Sequence, residues 1–261
     1  MERKKGRMRI LQHGARDLGI CLTPEHLAAF QIYYEELVIW NERFNLTAVT
    51  EYEAVQSKHF LDSLTCLLAL PGRPANSNIP DTVPLSSRME RPWRCMDVGT
   101  GAGFPGLPAK ILRPNLHLTL LEATGKKTVF LNHLVGKLGL EGVEIIHGRA
   151  EEWGQRRGYR ESYDLVVARA VAELSVLVEY CLPFCCQGGC FIAQKSAAGL
   201  EAELAAAQEA IEVLGGCVRE VKSLDFPGLV PGRCLAAIDK ITPTPEKYPR
   251  RPGIPTKRPL L

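Results

Sequence analysis

Through the first seventy residues apolar positions recur at helical spacing; beyond a proline-rich gap they gather into short runs separated by amphipathic stretches. Thr23-Pro24-Glu25 reads as an N-cap followed by proline in the first helical turn, where a missing N–H leaves nothing unpaired. Leu27, Phe30, Ile32 and Leu37 predict a helix over 24–40, and Phe60, Leu61, Leu64 and Leu68 a second over 51–70. Residues 71–92 lose all periodicity and contain five prolines, which predicts a linker loop and a boundary. From Trp93 onward the expected strands are 94–98, 117–122, 143–147, 164–168 and 190–195, alternating with helices over 105–112, 126–138, 150–156 and 172–185. That alternation argues for a mostly parallel sheet with helices on both faces. A helix over 199–214 precedes two strands, 216–224 and 234–241, with no helix between them, so these should pair antiparallel at one edge. From Thr242 six prolines and no apolar period predict an extended arm. The expected division is a helical extension 1–70, a linker loop 71–92, an α/β domain 93–241 and a basic proline-rich arm 242–261.

With 261 residues the chain can bury one large core and carry a smaller attachment. No run of eighteen apolar residues exists, so no membrane span is expected, and the basic start has no apolar stretch behind it to make a secretory signal. A cytoplasmic location is the default. Nine cysteines are an odd, scattered number, better read as reduced thiols than as a disulfide framework. Cys181, Cys185, Cys186 and Cys190 invite comparison with a metal site, but their spacing lacks the paired C-x2-C of zinc ligands. They are expected to pack as small apolar groups, with no metal. The net charge of +3 hides an uneven distribution: residues 1–9 and 241–261 each carry five basic groups and one acid, on a body that is net acidic. Two cationic ends suit a polyanionic partner, because phosphates are contacted by Lys and Arg, and equally suit two solvated tails.

The most informative stretch is Asp97-Val98-Gly99-Thr100-Gly101-Ala102-Gly103-Phe104-Pro105-Gly106, between the first strand and the helix after it. Glycines there let the chain turn tightly and let backbone approach a ligand, at the carboxyl edge where open α/β sheets bind. A phosphate-binding P-loop would close on Gly-Lys-Ser/Thr, and here Leu107 follows Gly106. Gly101, Gly103 and Gly106 match a dinucleotide fingerprint, so a nicotinamide or flavin enzyme stays open. Asp97 inside the strand followed by Gly-x-Gly-x-Gly fits a methyltransferase better. The second strand ends in Glu122, whose carboxylate is placed to accept both ribose hydroxyls of an adenosyl group, or to be a surface acid. After the third strand, backbone groups at Ala150 and Glu151 are placed to read an adenine edge.

The fourth strand runs into Arg169 and the fifth ends in Lys195, so both cations belong to the same edge as Gly99 and Glu122. Arg and Lys need an anion or open solvent; a nucleic-acid target suits them, and so do ion pairs with nearby acids. Lys126 and Lys127 open a helix, where the macrodipole disfavours cations; Glu122, RNA or solvation would each offset this. His59 has Asp62 about one turn on as a hydrogen-bond partner.

These residues carry a resemblance. Trp40-Asn41-Glu42-Arg43-Phe44-Asn45-Leu46-Thr47, Lys58-His59-Phe60-Leu61-Asp62-Ser63, the glycine loop, Leu121-Glu122, Gly125-Lys126-Lys127 and Arg149-Ala150-Glu151-Glu152 take part. So do Ala168-Arg169-Ala170, Gln194-Lys195-Ser196, Gly232-Arg233 and Tyr248-Pro249-Arg250-Arg251-Pro252-Gly253. The chain resembles the bacterial 16S rRNA guanine-N7 methyltransferase G family, also called the glucose-inhibited division protein B family. The resemblance implies a class I S-adenosylmethionine-dependent methyltransferase fold, Rossmann-like, mostly parallel with an antiparallel edge, behind an N-terminal helical extension. It implies S-adenosylmethionine contacts at Gly99, Gly101, Gly103, Phe104, Glu122, Ala150, Glu151 and Arg169, and RNA contacts at Asn45, Lys126, Lys127, Lys195 and Arg233. It also implies that Arg169 and Lys195 orient a guanine of 16S rRNA, in the 30S subunit near the decoding centre, and that a monomer does so. The stretch 71–92 is longer than the resemblance leads one to expect. The Asn/Asp-Pro-Pro-Tyr motif of exocyclic-amine methyltransferases and the Pro-Cys motif of cytosine-C5 enzymes are absent after the fourth strand. A nicotinamide-dependent oxidoreductase and a non-catalytic rRNA-binding assembly factor are the rival readings.

Overall fold

The computed structural model describes residues 8–70 and 92–260; most of the linker 71–92 and the first seven residues lie outside them. Seven strands form one sheet: β1 (Arg94–Val98), β2 (His117–Glu122), β3 (Val143–His147), β4 (Tyr163–Arg169), β5 (Cys185–Ser196), β6 (Gly216–Leu224) and β7 (Arg233–Lys240). Their order is β3-β2-β1-β4-β5-β7-β6. The first five are parallel, and β7 runs antiparallel between β5 and β6, pairing Arg233 with Ser196. The hairpin expected at one edge is present. An all-parallel dinucleotide-binding sheet of order 3-2-1-4-5-6 is not what forms, which counts against the oxidoreductase alternative that the Gly101, Gly103 and Gly106 spacing left open.

Alternate residues of each inner strand enter two cores. Cys95, Leu118, Leu120, Leu165, Val167 and Ile192 face one side, Met96, Val98, Leu121, Val166, Ala168 and Phe191 the other. Burial on both faces is why these strands read as continuous apolar runs. The first core takes in the N-terminal extension together with α5 (Gly106–Leu112) and α6 (Gly125–Leu138). The second is covered by α8 (Leu174–Cys181) and α9 (Leu200–Val213), beside the short α7 (Ala150–Trp153).

The extension consists of α1 (Arg9–Asp17), α2 (Pro24–Phe44) and a helical stretch in four parts: α3 (Tyr52–Val55), a π-helical turn (Gln56–Leu61), α4 (Asp62–Leu64) and a 3-10 turn (Thr65–Ala69). Thr23 caps α2 as expected: its hydroxyl accepts from the His26 N–H, and the His26 ring accepts in return from the Thr23 N–H. The helix runs four residues past the expected end, stopping where Asn45 turns to φ 49°. Phe30, Tyr33 and Leu37 form its buried stripe.

The segment after Thr242 differs from expectation in being docked. It is extended for most of its length, with one four-residue helix, α10 (Ile254–Lys257), and it lies against the body of the domain. Thr244, Tyr248, Pro249 and Pro255 are buried. Of its five cations, Arg250 is engaged in an ion pair with Glu179 on α8. No helix of the described residues is long and apolar enough to cross a membrane.

Candidate cofactor site and the cations beside it

The loop after β1 is held from within by Asp97. This residue is fully buried; its Oδ2 accepts from the Thr100 hydroxyl (2.6 Å) and the Gly106 N–H (2.8 Å). Burial pushes the Asp97 carboxyl up to about 6, against the lowering effect of those two hydrogen bonds and of Arg169. Its Oδ1 is buried without a partner. Gly99 and Gly103 are required by geometry. Both have positive φ, and added Cβ atoms would lie 2.7 Å from a Val171 methyl and 2.5 Å from the Tyr33 hydroxyl respectively.

Glu122, at the end of β2, is 6% exposed and clamps this loop, Oε2 accepting from the Gly101 N–H and Oε1 from the Thr124 N–H, both at 2.8 Å. Each oxygen keeps a second lone pair for a ligand hydroxyl. The surface-acid alternative is thereby excluded, and so is an ion pair of Glu122 with Lys126 or Lys127. Those lysines stand in the first turn of α6, exposed and half-buried, and have no ion-pair partner among the described residues. Ala150 and Glu151 open α7 after β3; both are buried, and Glu151 Oε1 accepts from the Gly253 N–H at 3.0 Å.

The helical extension reaches this site through aromatic rings. Phe104 stacks on Tyr33 (centroids 5.2 Å apart) and on His59 (4.6 Å), and the Arg169 guanidinium lies 5.0 Å from its ring centre. The Tyr33 hydroxyl donates to the Ala102 carbonyl (2.6 Å), so α2 fixes the glycine loop directly. Phe104 is thus 5% exposed, a packed centre between loop and extension. His59 bonds to the Thr47 hydroxyl (2.8 Å) rather than to Asp62. Burial, and next the nearby Arg169, push its imidazole down to about 4.

Asp62 has other partners. It is 1% exposed, with Oδ2 at 2.9 Å from Arg169 Nη1 and Oδ1 at 3.1 Å from Arg233 Nε. The second contact is an ion pair without hydrogen-bond alignment. Arg169 also donates to the Lys58 carbonyl (3.2 Å), and Gln194 donates to the Asp62 carbonyl (2.6 Å). Lys195 pairs with Glu203 at 2.5 Å and donates to the Ala172 carbonyl at 3.0 Å, while Glu203 also accepts from the Leu174 N–H. Arg169 and Lys195 therefore share the carboxyl edge as expected, Arg233 joins them from the start of the antiparallel β7, and each of the three has a carboxylate neighbour in the protein. Nothing in the sequence pattern marks Asp62 or Glu203 as a site residue. Their only signal was that strand-end cations need anions, which names no particular partner. Asn45 is exposed, and its left-handed conformation ends α2.

Cys181, Cys185 and Cys190 are buried and Cys186 half-buried; burial pushes the Cys190 thiol up to about 12 and the Cys181 and Cys185 thiols up as well. They pack as apolar groups, and no group of three or more potential metal ligands comes together among the described residues.

An adenosyl sulfonium fits this edge. Asp97 offers a buried oxygen without a partner, Glu122 two oxygens with spare lone pairs, and the Gly99–Gly103 turn a stretch of backbone with no side chain at alternate positions. A seven-stranded sheet with antiparallel β7 and this strand-end site define a class I S-adenosylmethionine-dependent methyltransferase. Among solved structures, a mutant of MtNAS in complex with S-adenosylmethionine shares the fold at TM-score 0.50 and 16% identity, over 83% of this chain and 74% of that one. The model of the family described as rRNA small subunit methyltransferase G matches residues 26–227, and the chain belongs to that family. Similar relatives include the ribosomal RNA small subunit methyltransferase G of Pelotomaculum thermopropionicum, 48% identical over 96% of this chain and 97% of that one. The protein of the same name from Dehalococcoides mccartyi is 47% identical over 97% and 100%.

Proposed function

We propose that the chain transfers a methyl group from S-adenosylmethionine to N7 of a guanine in 16S rRNA, near the decoding centre of the small subunit. The proposal places this reaction in the cytoplasm and in a single copy of the chain. The observation that carries this reading is the meeting of two half-sites at one sheet edge: the Asp97–Glu122 loop clamp at the ends of β1 and β2, and Arg169, Lys195 and Arg233 beside β4, β5 and β7. Family membership supports the substrate class.

When bound, S-adenosylmethionine supplies an electrophilic methyl on a sulfonium. Guanine N7 presents an in-plane lone pair and carries no proton, so the chain needs no general base. Alignment and exclusion of water suffice. The residues agree with that economy. The His59 imidazole, pushed down to about 4, is neutral at physiological pH and packed on Phe104. Arg169 is held by Asp62 at 2.9 Å. Glu122, Gly99, Gly101, Gly103, Ala150 and Glu151 would hold the adenosyl half, with Phe104 and Arg169 closing the loop side. Lys195, Arg233, Lys126, Lys127 and Asn45 would face the RNA.

The test is incubation with methyl-labelled cofactor and either naked 16S rRNA or 30S particles, followed by mapping of the modified base. Label on a guanine that becomes sensitive to strand scission after borohydride reduction supports N7. Label on an exocyclic nitrogen rejects that atom, and labelling of neither substrate favours the assembly-factor reading.

A further inference from the structure

We infer that the arm after Thr242 completes the cofactor site, by fixing the turn that would read adenine, and that Arg250 is the positioning residue that pins it. The inference rests on the proposed cofactor role of Ala150 and Glu151. Their helix, α7, has only four residues and is too short to hold its own place. The arm supplies much of its anchorage. The Gly253 N–H donates to Glu151 Oε1 (3.0 Å), and Gln155, just beyond α7, donates to the carbonyls of Pro249 (3.0 Å) and Glu246 (3.1 Å). Arg160 ties Gly154 to the arm, donating to the carbonyls of Gly154 (3.1 Å), Tyr248 (2.7 Å) and Thr244 (2.6 Å). Pro249 lies against Gly154, where a Cβ would come within 2.9 Å of its ring, and Tyr248 shares the core that holds Ala150.

What fastens the arm is Glu179 on α8. Its carboxylate is fully buried, and it accepts from Arg250 three ways: the backbone N–H (2.8 Å), Nε (2.9 and 3.1 Å) and Nη2 (2.6 Å). A carboxylate that deep is tolerated only when paired, so the arm has one strongly preferred seat. Two acids on separate elements, Glu179 and Glu151, thus receive the arm within four residues of each other along it. An arm that served only as a cationic RNA contact would have no need to place Arg250 inward, while its neighbour Arg251 remains exposed.

Calorimetry on the full chain tests this, with S-adenosylmethionine and adenosine as separate probes. Arg250→Ala is expected to weaken both by at least tenfold and in parallel, because the adenine half is what loosens. Arg251→Ala should leave both unchanged. A folded Arg250→Ala protein with a lower melting temperature and unaltered affinity for both probes overturns the inference, since a merely structural strap behaves that way. Hydrogen exchange on the unmodified protein gives an independent reading. Saturating S-adenosylmethionine should slow the Arg250 and Gly253 amides, and protection that appears at Ala150 without reaching those two overturns it. Failure of the unmodified chain to bind S-adenosylmethionine would instead reject the cofactor reading on which the inference rests.

Discussion

Asp62 lies within 2.9 Å of Arg169 and 3.1 Å of Arg233, so a single buried carboxylate balances cations from the ends of two strands. Replacing it by Asn leaves a nearly buried Arg169 without its counter-charge, a change of the kind that costs about 3–5 kcal/mol; urea denaturation of Asp62→Asn should show a loss of that order. Glu122→Ala removes the acceptor of two backbone N–H groups and of the proposed ribose contacts. Its affinity for S-adenosylmethionine should fall by roughly one to two orders of magnitude, and calorimetry giving the original affinity would reject the role. His59 sets a pH dependence. Its folded value of about 4 lies below the ordinary 6.5, so its contribution to stability is present in full above 6.5 and lost as pH falls through 4. In His59→Gln the decline of the denaturation midpoint between pH 6.5 and 4 should be shallower. Glu122 was legible in the sequence, because a carboxylate closing an apolar strand has one obvious edge to occupy. The bond from Arg169 to Asp62 was not: it spans 107 residues and exists only once α4 is laid over β4.

At the scale of elements, the inner parallel strands are plain because each is buried on both faces and reads as an apolar run, whereas β3 at the edge mixes buried, half-buried and exposed positions. The strands fixed the sheet edge, and the edge fixed where Gly99, Glu122, Arg169 and Lys195 would meet. β5 is longer than its pattern suggested. It begins at Cys185, with Gln187, Gly188 and Gly189 interrupting the apolar sequence where the pairing with β4 changes register. α1 is not legible in the apolar pattern, being nine residues long with Gly14 inside and no side-chain cap. The π-helical turn at Gln56–Leu61 was invisible for a different reason: spacing over one wide turn cannot be told from an ordinary helix. The packing of α2 on the loop offers a clean test. Tyr33→Phe removes the hydroxyl that donates to the Ala102 carbonyl and keeps the ring stacked on Phe104. A loss of about 1 kcal/mol of stability is expected, together with a several-fold weaker affinity for S-adenosylmethionine if the loop relaxes. An unchanged affinity would show that the rings alone set the loop.

Over the whole molecule, the sequence carries two basic ends on a net acidic body, but charge alone does not say which cations point outward. Arg250 is drawn into the protein, whereas Arg251, Lys257 and Arg258 stay at the surface. RNA affinity should fall steeply as salt rises, because phosphate contacts release counterions, and Arg233→Ala should lower the slope of that dependence as well as the affinity. A flat salt response measured by filter binding would remove the part given to the cations.

The seating of Arg250 on Glu179 also bears on synthesis. Ribosomes make residues 244–253 after every strand of the sheet, so α7 receives its last supports only when that stretch has emerged. A nonsense codon just beyond Lys240 would spare all seven strands yet abandon an acid in the interior. Frameshifts late in the reading frame, often dismissed as trimming a dispensable tail, should here be among the damaging ones.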